Sequence, residues 1–93
     1  MKLSETEIAT RLATLPGWGR DGNTITKEFV LDGFTEATAF MARIAPVANA
    51  LDHHPDLQLY RYKRVKVILT THSAGGLTEN DFELAAKIDG LAA

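Results

Sequence analysis

Apolar residues recur along the chain with two different periods, and these periods predict which segments are helices and which are strands. The longest helical pattern has apolar residues three or four positions apart: Phe34, Ala37, Met41, Ile44, Ala48 and Leu51. This spacing predicts a helix from about Phe34 to about Asp52. Pro46 lies inside it, and a proline there removes a backbone donor and usually kinks a helix.

Two further helices are predicted near the ends of the chain. Ser4 and Glu7 have the spacing of a capping box, and the helix that they begin should end at Pro16. A third helix should begin at Thr78, with Asp81 at its third position. Its core-facing residues are expected to be Leu84, Ala85, Ile88 and Leu91.

Strand patterns fill the two intervals between these helices. Residues 18–31 predict a hairpin, because Asp21-Gly22-Asn23 suits a turn and apolar residues alternate with polar ones after it. Residues 57–62 and 65–71 predict two more strands. The second of them, VKVILTT, is β-branched and apolar, as a central strand should be. We expect these two strands to form a hairpin around Lys63-Arg64.

Pairing around Lys63-Arg64 would have a direct consequence for the ends of that hairpin. Opposed residues would have numbers that add up to about 127, which sets His54 opposite Ser73 and Pro55 opposite His72. The histidines would then lie at the same end of the hairpin, although many residues separate them in sequence.

The order of elements is helix, two strands, helix, two strands, helix. It predicts an α+β two-layer sandwich, in which a four-stranded antiparallel sheet carries its helices on one face. The absence of repeats and linkers predicts a single domain over residues 1–93. The other face of the sheet should be mixed, with Lys66 and Thr70 beside Ile68, and we expect it to serve as an oligomer surface.

Composition narrows the classes of function. The chain has 10 Lys and Arg against 12 Asp and Glu, and this net charge of −2 argues against a nucleic-acid partner. It has no cysteine, which excludes disulfides, thiolate catalysis and cysteine-ligated zinc. No segment is apolar enough for a signal sequence or a membrane span, so we expect a cytoplasmic protein with no membrane partner.

The candidate chemistry lies in the three histidines of the chain. His53 and His54 precede Pro55, which fixes its own φ and favours an extended His54, and His72 ends the last strand pattern. Imidazole has a reference pKa of about 6.5, so a group of rings can hold one protonated and another neutral. Such a group suits general acid–base catalysis. Taken singly, however, a histidine is more often a cap, a surface residue or a hydrogen-bonded filler.

A zinc site is the other use of clustered imidazoles. Asp52 or Asp56 would be available to complete the ligand set. Neighbouring histidines in an extended segment rarely aim at one ion, however, and the chain has no HExxH helix. We therefore predict no metal, and we expect these two aspartates to be a helix-end residue and a loop residue.

The chain from about Trp18 to Ile88 resembles the pterin-4a-carbinolamine dehydratase family, also called the dimerisation-cofactor family. The resemblance rests on DHHPD, followed by a strand pair and then by LTTHSAGGLTENDFELAAKID. It implies an α+β fold and the dehydration of 4a-hydroxytetrahydropterin to quinonoid dihydropterin, a step in the recycling of tetrahydrobiopterin. It also implies that no metal, redox cofactor or covalent intermediate takes part.

The resemblance also implies roles for individual residues. His53, His54 and His72 match the three family histidines; we expect the latter two to be the acid–base pair and His53 to orient the substrate or share the work. Four more residues match the walls and backbone contacts of the pterin pocket: Pro55, Thr71, Ser73 and Ala74. Asp81 matches the family's aspartate, although it can equally be a helix-start cap.

The chain departs from the family pattern at positions close to the histidines. Asn49 lies four residues before His53, where the family commonly has a charged residue, often Glu. Ser73 follows His72, where the family often has Asp. Asn49 keeps a hydrogen bond but loses the charge that would support an imidazolium, so we expect a slower reaction or a lower optimal pH.

The resemblance finally implies partners. A small-molecule pterin is the expected ligand, and homodimers or homotetramers are the expected assemblies. Some family members instead act as partners of a transcription factor or assist hydroxylase expression. The alternative function is therefore a non-catalytic binding partner that keeps a vestigial histidine site.

Overall fold

The computed structural model describes residues 1–92. Its elements, in chain order, are α1 (Glu5–Leu12), β1 (Gly19–Asp21), β2 (Thr24–Val30), α2 (Phe34–Leu51), β3 (Asp56–Tyr60), β4 (Arg64–Leu69), a short 3₁₀ helix (His72–Ala74) and α3 (Glu79–Ala92). The predicted α+β class and the order of helices and strands are confirmed.

The four strands form one antiparallel sheet in the order β1-β2-β4-β3. β4 is therefore a central strand, as its β-branched sequence predicts. The buried side chains of the strands belong to the same core cluster as those of the helices. The fully buried members with the largest side chains are Ile8, Ile25, Phe40, Ile44, Val65, Val67, Leu69, Leu77, Leu84 and Ile88.

The opposite face of the sheet carries no helix and has a mixed composition. Lys66 and Ile68 of β4 are half-buried there, and Tyr60 and Val30 are exposed. Arg64 reaches across to Glu28 of β2 at 2.7 Å. The predicted two-layer arrangement, with helices on one face, is thus confirmed.

The register of the β3–β4 hairpin differs from the prediction. Asp56 pairs with Ile68, and Tyr60 pairs with Arg64, so opposed residue numbers add up to 124 (56 + 68). The turn lies at residues 61–63 because Arg61 and Tyr62 adopt the left-handed conformation, with φ of 48° and 55°.

The predicted opposition of His54 with Ser73, and of Pro55 with His72, is consequently wrong. β3 begins only at Asp56, and β4 ends at Leu69, so all four of these residues lie beyond the paired strands. Strand pairing therefore does not connect the His54-Pro55 segment to the His72-Ser73 segment.

The helix boundaries agree with the sequence except at one end. Ser4 and Glu7 form the predicted capping box at the start of α1. That helix ends at Leu12, well before Pro16, and a loop follows it. α2 continues through Pro46, whose ring faces solvent. No helix within residues 1–92 is long and apolar enough to cross a membrane.

Candidate functional site

The first two histidines are positioned by the way in which α2 ends. Asp52 adopts the left-handed conformation, with φ of 50°. Its N–H donates to the carbonyl of Asn49 at 3.1 Å, and the N–H of His53 donates to the carbonyl of Ala48 at 3.1 Å. This is a Schellman motif, which ends the helix sharply. The His53-His54-Pro55 segment therefore runs directly from the helix to the edge of the sheet.

His53 is nearly buried, and its ring is held by a carboxylate. Nε2 of His53 lies 2.5 Å from Oδ1 of Asp81, near the start of α3. His53 is 9% exposed and Asp81 is 0% exposed. An ionised carboxylate can only accept hydrogen bonds, so the ring carries its proton on Nε2. Nδ1 of His53 is then the nitrogen available to a ligand.

The second oxygen of Asp81 is held by two more donors. Oδ2 accepts from the hydroxyl of Thr71 at 2.8 Å and from the backbone N–H of Thr78 at 2.9 Å. The hydroxyls of Thr71 and Thr78 are themselves 2.9 Å apart. These bonds give both oxygens of the buried carboxylate hydrogen-bond partners. Asp81 therefore acts as a cap at the start of α3, as its sequence position allows, and also holds the ring of His53.

His54 is exposed and has a neutral partner. Its Nε2 lies 2.9 Å from Oδ1 of Asn49, which is on the last turn of α2. Because an amide oxygen accepts, this ring also carries its proton on Nε2. Each of the two adjacent imidazoles thus donates from Nε2 to a side-chain oxygen. The partner of His53 is a carboxylate, whereas the partner of His54 is a neutral amide.

His72 lies on a small closed loop. Thr71 and Gly76 pair through two backbone hydrogen bonds, of 3.2 and 3.3 Å, and Gly75 takes the left-handed conformation that closes the turn. His72 and Ser73 are exposed on this loop. Since Thr71 also binds the carboxylate that holds His53, Asp81 ties the His72 loop to the His53 segment. This carboxylate, and not the strand register, brings the two parts of the site together.

A cavity of about 700 Å³ adjoins this loop. Three predicted pocket residues, Thr71, Ser73 and Ala74, are part of its wall. The rest of the wall consists of Thr78, Glu79 and Asn80 and, from the N-terminal segment, Met1, Lys2, Leu3 and Glu7. Pro55 and the three histidines are not among the lining residues that the structure describes. Thr71 connects the cavity to His53 indirectly, because it lines the cavity and its hydroxyl binds the carboxylate that holds the His53 ring.

The described residues include no cluster of three His, Asp or Glu side chains that could hold a metal ion. His53 and His54 use their Nε2 atoms on different oxygens, of Asp81 and of Asn49. Their arrangement suits proton transfer and hydrogen bonding.

Two contacts of the site could not be predicted from the sequence. The hydroxyl of Thr78 contacts Thr71, whereas its sequence position indicates only a helix cap. The N-terminal segment forms one wall of the cavity because the N–H of Leu3 donates to the carbonyl of Leu77 at 2.8 Å. No local pattern could have indicated either contact, because each joins segments that are separated in the chain.

Comparisons with known proteins show which family this chain is similar to. A family model described as "Pterin 4 alpha carbinolamine dehydratase" matches residues 1–91. A relative from Sulfolobus acidocaldarius is 49% identical over 89 residues, which are 96% of this chain and 97% of that protein. One from Chloroflexus aurantiacus is 52% identical over 88 residues, which are 95% and 94% of the two chains. Both carry the provisional name pterin-4-alpha-carbinolamine dehydratase.

Two solved structures share the fold. A protein from Brucella melitensis, described as a transcriptional coactivator/pterin dehydratase, superposes with a TM-score of 0.94 at 39% identity, over 100% of both chains. A pterin dehydratase-like protein, described as a RuBisCO assembly factor in the alpha-carboxysome, has a TM-score of 0.65 at 21% identity. It covers 82% of this chain and 87% of its own, and it shows a shared fold alone.

Proposed function

This chain belongs to the pterin-4a-carbinolamine dehydratase family, and we propose that it dehydrates a 4a-hydroxytetrahydropterin to the quinonoid dihydropterin. Tetrahydrobiopterin recycling is the proposed setting. The observation that carries the proposal is the contact of His53 with the buried carboxylate of Asp81 at 2.5 Å. A buried carboxylate is costly unless it is paired and hydrogen-bonded, and here it is paired with a group that exchanges protons.

The reaction needs an acid and a base and changes no oxidation state overall. The C4a–O bond breaks, and the oxygen leaves as water after it receives a proton. The N5–H bond gives up its proton to a base, and the electron pair of that bond becomes the new C=N bond between N5 and C4a. Loss of hydroxide without protonation would be unfavourable, so the acid is the critical group.

We assign the acid–base pair to His54 and His72. Both side chains are exposed at the site, where a substrate can reach them. Nε2 of His54 is held by Asn49 at 2.9 Å, which fixes the ring and leaves Nδ1 for the substrate. His53, which is held by Asp81, orients the pterin through Nδ1 or shares the proton transfer with the other two histidines.

The proposed pterin position lies between the histidines and the cavity. Thr71, Ser73 and Ala74 form the wall that the ring follows, and their backbone groups can bind the edge of the heterocycle. Pro55, which is half-buried after His54, is the proposed pterin contact on the side of the first two histidines. A flat bicyclic ligand with several donors and acceptors suits a cleft of this kind.

The direct test is an assay with substrate that an aromatic amino acid hydroxylase generates in the cuvette. Formation of quinonoid dihydropterin is followed by its absorbance, against the uncatalysed rate. His54→Ala and His72→Ala should each lower kcat/KM by at least about 100-fold, the range typical of a lost general acid or base. The double variant should approach the uncatalysed rate.

Lys87→Ala, on the exposed face of α3, is the control and should keep the full rate. Circular dichroism should show that every variant is folded. A folded wild-type protein that does not exceed the uncatalysed rate would disprove the enzyme function.

A binding role is the second candidate, since the 39% identical Brucella protein carries both descriptions. In that case the chain is a non-catalytic partner, and an exposed surface makes the contact. The His54→Ala/His72→Ala variant separates the two functions, because it should abolish turnover and leave assembly intact. Partner binding without measurable turnover would favour the second candidate. A homodimer or homotetramer is proposed under either function and can be measured by light scattering.

A further inference from the structure

Two of the α-helices, α1 and α3, begin directly after a hydroxyl residue, Ser4 and Thr78, but they use its hydroxyl differently. At α1, the hydroxyl of Ser4 accepts from the N–H of Glu7 at 3.2 Å, and Glu7 accepts from the N–H of Ser4 at 2.9 Å. At α3, Asp81 accepts from the N–H of Thr78 at 2.9 Å, but the N–H of Asp81 donates to the carbonyl of Thr78 at 3.1 Å. The Thr78 hydroxyl is thus not needed as an acceptor for the third N–H of the helix.

That hydroxyl is directed to Thr71 instead, and the direction of the bond follows from the proton count. Thr71 has one hydroxyl proton, which it donates to Oδ2 of Asp81 at 2.8 Å. Its oxygen can therefore only accept from the hydroxyl of Thr78, at 2.9 Å. The result is a directed chain from Thr78 to Thr71 to Asp81. It ends at Oδ1, which accepts from Nε2 of His53.

We propose that Thr78 and Thr71 are positioning residues that act through Asp81 to hold His53 with its proton on Nε2 and Nδ1 directed to the pterin. The proposal rests on the proposed dehydratase function for its catalytic consequence, but not for its effect on the ring. Thr71 has a second effect, because it is the residue before His72. One hydroxyl thereby couples the positions of two histidines that are 19 residues apart (72 − 53).

The Asp81 carboxylate depends on the two threonine hydroxyls because it is buried. Asp81 is 0% exposed and Thr78 is 6% exposed, so water has little access to the carboxylate itself to replace a lost donor. A carboxylate that loses the Thr71 donor keeps only the N–H of Thr78 on Oδ2 and is held less firmly, so Oδ1 meets Nε2 of His53 in a less fixed geometry. Hydrogen bonds in such a chain also polarise one another, so that removal of the distant hydroxyl weakens the near bond.

The experiment compares valine and serine at both positions. Thr71→Val and Thr78→Val keep the shape and remove the hydroxyl, while Thr71→Ser and Thr78→Ser keep the hydroxyl. The readout is ¹⁵N NMR of the imidazole rings, because a ring nitrogen with a proton resonates far from one without. The His53 signals are identified by their loss in His53→Gln.

Wild type and both serine variants should show one fixed tautomer of His53, protonated on Nε2. Both valine variants should show averaging between tautomers and a kcat about tenfold lower, with KM changed less than kcat. A purely structural role would lower the melting temperature of the valine variants without changing the ring nitrogens.

Valine variants that keep the fixed tautomer would overturn the proposal, whether or not they lose activity. If a valine variant fails to fold, the alanine variant at the same position takes its place. The NMR readout does not need turnover, so a fixed tautomer in a protein without dehydratase activity would support the positioning chain and reject only the proposed function.

Discussion

His53 and Asp81 are 28 residues apart in sequence, yet Nε2 of one ring lies 2.5 Å from Oδ1 of the other side chain. The aspartate is fully buried, and its second oxygen binds Thr71 and the backbone of Thr78. Three segments therefore converge on one carboxylate: the end of α2, the loop after β4 and the start of α3.

Asp81→Asn should lower kcat/KM by about 100-fold or more, because an amide oxygen accepts from Nε2 of His53 more weakly than a carboxylate does and holds the ring less firmly for the reaction. It should also lower the free energy of unfolding by about 1–3 kcal/mol, since the amide –NH₂ faces donors that it cannot accept from. Activity assays and urea unfolding measure the two effects.

Asp89→Asn is the matched control for this variant, on the same helix. Asp89 is a partly buried carboxylate that accepts from Trp18 at 3.1 Å and from Lys27 at 2.9 Å, away from the histidines. It should cost stability and leave kcat/KM unchanged. Equal losses of activity in the two variants would show that Asp81 acts only through the fold.

Asn49→Asp should raise turnover at neutral pH and move the optimal pH upward. The Oδ1 atom that contacts His54 at 2.9 Å would then carry a charge, and a nearby negative charge favours a protonated imidazole. Asn49→Ala should lower turnover, because it removes the hydrogen bond that orients the ring. A pH–rate profile of the three proteins measures the effect, and superimposable profiles would refute it.

Asp52→Gly should raise the free energy of unfolding by about 0.5–1 kcal/mol. Asp52 has a φ of 50°, where glycine avoids the contact between Cβ and the backbone that other residues suffer. Asp52→Val should be destabilising by more than about 1 kcal/mol for the same reason. Urea denaturation of the three proteins tests this, and a loss of stability in the glycine variant would contradict it.

The capping box of α1 should make stability depend on acid pH. The backbone N–H of Ser4, followed by its hydroxyl, lowers the pKa of Glu7 below its ordinary value of 4.5. A lowered pKa in the folded state means a stabilisation that is complete above the unfolded pKa and lost as the pH falls through the folded one. The difference in melting temperature between wild type and Glu7→Gln should therefore shrink from neutral pH to below pH 4.5. A difference that stays constant over this range would exclude the titration.

Much of the fold could be predicted from the sequence because its signals are local. The capping box at Ser4 and Glu7, the turn at Gly22 and the β-branched run of β4 each depend on neighbours in the chain. The histidines, too, could be chosen as candidates from their residue type and from the proline that follows them. Their roles in the reaction stay predictions.

The register of the β3–β4 hairpin could not be predicted from local signals. Lys63-Arg64 offers no glycine or asparagine, and neither do Arg61 and Tyr62, which make the turn with positive φ. The choice between these turns depends on which side chains of β3 and β4 the sheet buries. A pattern within one strand does not contain that information.

Short-range periodicity and capping were enough to predict the order of elements, most of their ends and the residue types available for proton transfer. The three-dimensional packing was needed to show that Asp81 holds His53, that Thr71 links both to the His72 loop, and that the Thr78 hydroxyl completes the hydrogen-bonded chain. These contacts exist because packing of the helices on one face of the sheet buries a carboxylate. A buried carboxylate needs donors, and the donors come from whichever distant segments the fold brings within hydrogen-bonding distance.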